Sequence, residues 1–97
     1  MLDQAKMLWK ANQVRKQLKN TEIEAKANDG SVTVVVNGEM RLVSIDLSEE
    51  SLRPENKRNL EKSILNTVSE AISRAQAVAA EKTKQVMKDM NLNIPGM

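Results

Sequence analysis

The chain has no cysteine and no histidine. Disulfides are therefore excluded, which fits a reducing compartment, and thiol nucleophiles, His general bases and the common zinc ligand sets go with them. Aromatic residues reduce to Trp9, with neither Phe nor Tyr. A core of Val, Ile, Leu, Ala and Met buries less area per residue than one with rings. A chain of 97 residues with this make-up reads as a single domain that completes its core by oligomerising. No apolar run approaches the roughly 18 residues of a membrane-spanning helix. The opening Met1-Leu2-Asp3-Gln4-Ala5-Lys6 lacks the charged-then-apolar layout of a signal peptide. The expected location is the cytosol, with no membrane partner.

Net charge is also small, at +2, but it is unevenly placed. Residues 1–20 hold Lys6, Lys10, Arg15, Lys16 and Lys19 against Asp3, a net of +4. Residues 21–52 hold Lys26 and Arg41 against seven carboxylates, a net of −5, and residues 53–97 come to +3. Cations concentrate in the two end segments, with acids between them.

The spacing predicts a basic amphipathic helix over 1–20, from about Leu2 to Asn20. Met7, Ala11, Val14 and Leu18 form a heptad-like seam, with Lys6, Lys10, Lys16 and Lys19 largely off it. Asn20-Thr21 marks the stop. Alternation then takes over. Ile23, Ala25 and Ala27 alternate with polar residues, and Val32, Val34 and Val36 follow the Asn28-Asp29-Gly30 turn. After the Asn37-Gly38 turn, Val43, Ile45 and Leu47 share one face of a third strand, with Leu42 on the other. Residues 22–47 thus predict a three-stranded antiparallel meander. A polar connection follows, with Leu52 expected to anchor it to the core.

Pro54 suits the first turn of a long helix over 54–90. Its apolar stripe runs through Leu60, Ile64, Val68, Ala71, Ile72, Ala75, Val78 or Ala79, and Val86. At 1.5 Å per residue the helix is roughly 50 Å long, against about 20 Å for a short-stranded sheet. Its outer half must pair with a second subunit or project into solvent, and the Ala-Val-Ala-Ala run at 77–80 favours pairing. The expected dimer contacts are Met7, Ala11, Val14 and Leu18 with Val68, Ile72, Ala75 and Ala79. Residues 91–97 read as a mobile tail.

No catalytic constellation is visible. Glu49 and Glu50 sit in a polar loop, the Ser residues lack a His partner, and Ser31-Val32-Thr33 after Gly30 opens a strand, not a phosphate-binding helix. No enzyme activity, cofactor, metal or small-molecule substrate is expected. The basic face of the first helix is the best functional candidate, and dimerisation would double it. Lys82, Lys84 and Lys88 form a second basic group, although cations also favour a helix C-terminus. Trp9 reads as a packing residue in the dimer seam in preference to a base-stacking platform. No helix-turn-helix, zinc-finger or RNA-recognition pattern is present.

The whole pattern resembles the YbaB/EbfC nucleoid-associated protein family. The residues carrying the resemblance are Gly30, the Val32-Thr33-Val34-Val35-Val36-Asn37-Gly38 strand and turn, Val43-Ser44-Ile45-Asp46, Leu52, the helix positions Leu60, Ile64, Val68 and Glu70-Ala71, and the closing Met90…Pro95-Gly96. Leu8-Trp9 stands where members commonly have a Gly- and Met-rich opening, and Leu47 where a Pro often follows the Ile-Asp pair. The resemblance implies an α+β fold in a tweezer-like homodimer that binds duplex DNA and influences nucleoid organisation or gene expression. Members are often encoded beside recombination and replication genes, which makes proteins of those processes candidate partners. By segment, the implied DNA contacts are Lys6, Lys10, Arg15, Lys16, Lys19, Lys82, Lys84 and Lys88. The competing expectation is a protein-interaction adaptor or chaperone-like module whose long helices clamp a protein, with the lysines serving solubility.

Overall fold

Helical periodicity gives way to alternation at Thr21, and the backbone follows it. The computed structural model describes residues 2–89, with side-chain surroundings from residue 4; the tail expected over 91–97 lies outside the described residues. Helix α1 (Leu2–Asn20) leads into strands β1 (Glu22–Lys26), β2 (Val32–Asn37) and β3 (Leu42–Leu47). Two short 3-10 turns, Glu49–Ser51 and Pro54–Asn56, then open helix α2 (Lys57–Asp89). The sheet is an antiparallel meander in the order β1-β2-β3.

The Asn28-Asp29-Gly30 turn works through two residues. Gly30 takes φ +76° in open space, a conformation that a side chain resists. Asp29 Oδ1 accepts hydrogen bonds from the Ser31 amide (3.0 Å) and hydroxyl (2.6 Å). At the second turn Gly38 serves a different purpose from the positive φ an Asn-Gly hairpin suggests, because Met40 holds the left-handed conformation there (φ 67°). A Cβ on Gly38 would stand 2.8 Å from the Leu18 carbonyl oxygen. The bare glycine lets its N–H donate to that carbonyl (2.8 Å) and to that of Thr21 (3.0 Å). The Leu18 carbonyl, one of the orphans that end α1, is thereby satisfied from the sheet, and Thr21 Oγ1 donates to another, on Gln17.

Helix α2 lies across β1 and β2 on the stripe Thr67, Ala71 and Ala75, all buried. The fully buried apolar residues are small: Ala25, Ala71 and Ala75 with Val32, Val34 and Val36. Small residues let the helix approach closely, but three valines and three alanines bury little area. Leu52 is exposed and does not anchor its connection; the neighbouring 3-10 turns hold that segment through their own backbone and Ser51 hydrogen bonds.

Strand β3 departs from simple alternation. Val35 pairs with Ser44 but Val36 pairs with Leu42, so Val43 is a surplus residue and the register shifts there. Leu42, Ile45 and Leu47 therefore stand opposite the buried Val36, Val34 and Val32. The expected grouping of Val43 with Ile45, and of Leu42 on the opposite face, fails because the bulge resets the period. α2 scarcely reaches β3, and Leu42 and Ile45 stay 51% and 42% exposed beside the buried valines of β2.

The outer half of α2 is partly covered within the subunit itself. α1 folds back against it, giving a subunit of 62 × 26 × 14 Å with a two-helix arm at one end. Sequence reasoning missed this because the periodicity of α2 shows only that a face needs cover, not which helix supplies it.

Candidate nucleic-acid interface

The α1 seam sets where the cations point. Met7, Ala11 and Val14 meet Thr83, Val86 and Met87 around an apolar cleft of about 290 Å³, which Lys10 also lines. Leu18 lies against Gly38 at the inner end. With the seam turned inward, Arg15, Lys16 and Lys19 project outward and are exposed. The β2–β3 loop docks on the end of α1 and adds two charges. Asn12, Arg15, Lys16, Lys19, Glu39 and Arg41 line one depression of about 530 Å³, with four cations against one carboxylate.

The loop is held for this by Asn37, whose side-chain oxygen accepts from the amides of Glu39 (2.9 Å) and Arg41 (3.1 Å). Ion pairs among the described residues are Lys26–Glu24 at 4.0 Å and Arg74–Glu70 at 2.6 Å. Neither involves the four cations of the depression, so their charge remains open to an anion. Two of them are arginines, whose planar forks match phosphate oxygens two at a time.

Sequence reasoning missed Arg41. In the sequence it is an isolated cation in an acidic stretch, and nothing local to it shows that its turn touches α1. The other expected cations are placed differently. Lys6 is exposed farther out on α1. Lys84 and Lys88 are exposed and lie to one side of the Thr83, Val86 and Met87 face that meets α1. Lys82 is half-buried. The fold brings Arg15, Lys16 and Lys19 together with Arg41. It leaves the 82–88 group on the same arm but a different flank.

The expected dimer contacts separate in the same way. Ala75 is 0% exposed within the single subunit and has no surface to offer a second chain. Met7, Ala11, Val14 and Leu18 line contacts with α2 and Gly38 of their own chain, while Met7 and Ala11 stay exposed. Val68 and Ile72 are half-buried beside the core, and Ala79 is half-buried farther along. Arg74 Nη1 donates to the Glu24 carbonyl of β1 (3.0 Å), which turns the opposite flank of α2, with Leu65, Val68 and Ile72, toward the β3 side. Leu65 on that flank is exposed, as are Leu42 and Ile45 on β3.

Trp9 stands outside the core of the single subunit. It lies two residues, about 200°, from Met7, opposite the seam, and is 58% exposed with Lys10 Nζ 5.5 Å from its ring centroid. Among the described residues no three His, Cys, Asp or Glu side chains gather to hold a metal, and no helix is long and apolar enough to cross a membrane.

A model of the YbaB/EbfC DNA-binding family matches residues 1–90. The chain is similar to a nucleoid-associated protein of Pelotomaculum thermopropionicum, 36% identical over 84 residues that cover 87% of this chain and 78% of that protein. A nucleoid-associated protein of Clostridium kluyveri is likewise 36% identical over 84 residues, covering 87% of this chain and 72% of its own length. The crystal structure of an uncharacterized protein from Helicobacter pylori shares the fold, with a TM-score of 0.64 at 21% identity over 89% of this chain and 95% of that one.

Proposed function

The chain belongs to the YbaB/EbfC DNA-binding family, and from that premise we propose that it binds duplex DNA as a homodimer. Binding runs mainly through backbone phosphates, in an architectural or gene-regulatory role at the nucleoid. The observation that carries this reading is the depression on the arm, where Arg15, Lys16, Lys19 and Arg41 converge around a single carboxylate, Glu39, and form no ion pair among the described residues. Lys6, Lys10, Lys84 and Lys88 add charge along the same arm and attract the polyanion from a distance. Exposed flexible cations of this kind meet phosphates whatever the base sequence.

Homodimerisation is supported by the exposed Leu42, Ile45 and Leu65 with the half-buried Val68 and Ile72, and by a core too small in side-chain volume to stand comfortably alone. A two-fold pairing there gives each dimer two arms and two basic depressions.

Phosphate-led binding has a measurable signature. In a gel-shift titration the logarithm of affinity falls linearly with the logarithm of salt concentration, by about 0.9 for each phosphate neutralised. Changing Arg15, Lys16, Lys19 and Arg41 to Gln flattens that slope by about 0.9 for every phosphate left without its cation. Binding that persists unchanged at high salt, or a slope unaffected by these substitutions, refutes the reading.

A further inference from the structure

We propose that the outer face of α1 binds an unpaired nucleotide, with a base stacked on Trp9 and the neighbouring phosphate held in the Arg15–Lys16–Lys19–Arg41 depression. The proposal rests on the DNA-binding reading and extends it from duplex to single-stranded or locally opened DNA. Three observations carry it. First, the indole is left out of both the core and the α1–α2 cleft, and it is 58% exposed. Lys10 Nζ stands 5.5 Å from its ring centroid.

Second, Trp9 shares a face with the depression. Lys16 follows it by seven residues, which is two helical turns and about 10 Å along the axis, a separation of nucleotide scale. Asn12, on the wall of the depression, lies between them. Third, the surroundings are cationic, with four positive charges against Glu39 in the depression and Lys10 at the ring itself. A positively charged track with an aromatic platform is the arrangement by which proteins hold single strands without reading sequence. A base buried inside a duplex offers its edges and not its face, so an intact duplex leaves this ring unused.

The chain's lone tryptophan and absence of tyrosine make the test direct. Intrinsic fluorescence of the full chain is followed while an oligothymidine single strand, or a blunt duplex of equal length, is added. The single strand quenches Trp9 emission and the duplex does not. Trp9→Ala lowers affinity for the single strand about tenfold and leaves duplex affinity unchanged, while Trp9→Phe retains most of the single-strand affinity. Circular dichroism confirms that α1 is intact in both variants. Emission unmoved at saturating single strand, or equal single-strand binding by Trp9→Ala, overturns the proposal. So does an emission shift produced by raising protein concentration alone, which assigns Trp9 to a contact between protein chains. Duplex binding with a silent Trp9 removes only this inference. Failure to bind either nucleic acid removes the DNA-binding reading as well.

Discussion

Gly30 and Gly38 both belong to tight turns, yet they are glycines for unrelated reasons. Gly30 is needed for its φ of +76° in open space, while Gly38 is needed because the α1 terminus leaves no room for a Cβ. Gly30→Ala is expected to lose about 1 kcal/mol, from left-handed strain alone, with Gly30→Asn recovering part of it. Gly38→Ala is expected to lose about 1–3 kcal/mol through a steric clash, and Gly38→Asn no less. Urea denaturation of the four variants separates the two cases. Asp29 adds a pH dependence. The hydrogen bonds from the Ser31 hydroxyl and amide stabilise its carboxylate and hold the pKa below its ordinary 3.8. A pKa lowered by folding gives a contribution that is complete well above about pH 4 and is lost as pH falls through the folded value. The stability gap between wild type and Asp29→Ala should therefore shrink between neutral pH and about pH 2.5; a gap independent of pH would detach the carboxylate from the turn. None of this distinction between glycines is readable in sequence, where Asn-Asp-Gly and Asn-Gly both signal turn chemistry alone.

Element boundaries were the most legible level. The seam of α1, the alternation of Ile23, Ala25 and Val32–Val36, and the uninterrupted stretch after Pro54 appear as α1, β1, β2 and α2. Legibility failed at β3, where the surplus Val43 moves Leu42 into line with Ile45, and no local signal announces a bulge. The result is a strand with an apolar face outside the reach of α2. That face also bears on assembly. Ile45→Glu should convert a dimer to a monomer in sedimentation velocity, by placing an unpaired carboxylate at the contact at a cost on the order of 3 kcal/mol. Leu8→Glu, far out on α1, should leave the sedimentation unchanged. A dimer that tolerates Ile45→Glu excludes β3 from the interface.

At the scale of the whole subunit, the basic site was half legible. The charge of residues 1–20 identified Arg15, Lys16 and Lys19, but Arg41 and the separation of Lys84 and Lys88 onto another flank required the packing of α1 on α2. The same packing sets Met7, Ala11 and Val14 beside α2 within one subunit. It also ties two tasks to one rod. The half of α2 that carries Thr67, Ala71 and Ala75 grips the sheet, and the half that carries Thr83, Val86 and Met87 receives α1. A continuous helix transmits angle as well as length. One residue inserted between those halves rotates everything beyond it by about 100°, turning Val86 away from Met7 and swinging Lys84 and Lys88 to new bearings. Seven inserted residues, close to two full turns, lengthen the arm and nearly restore the bearing. The chain can therefore vary the reach of its arm in steps of two turns, whereas its direction is fixed by phase.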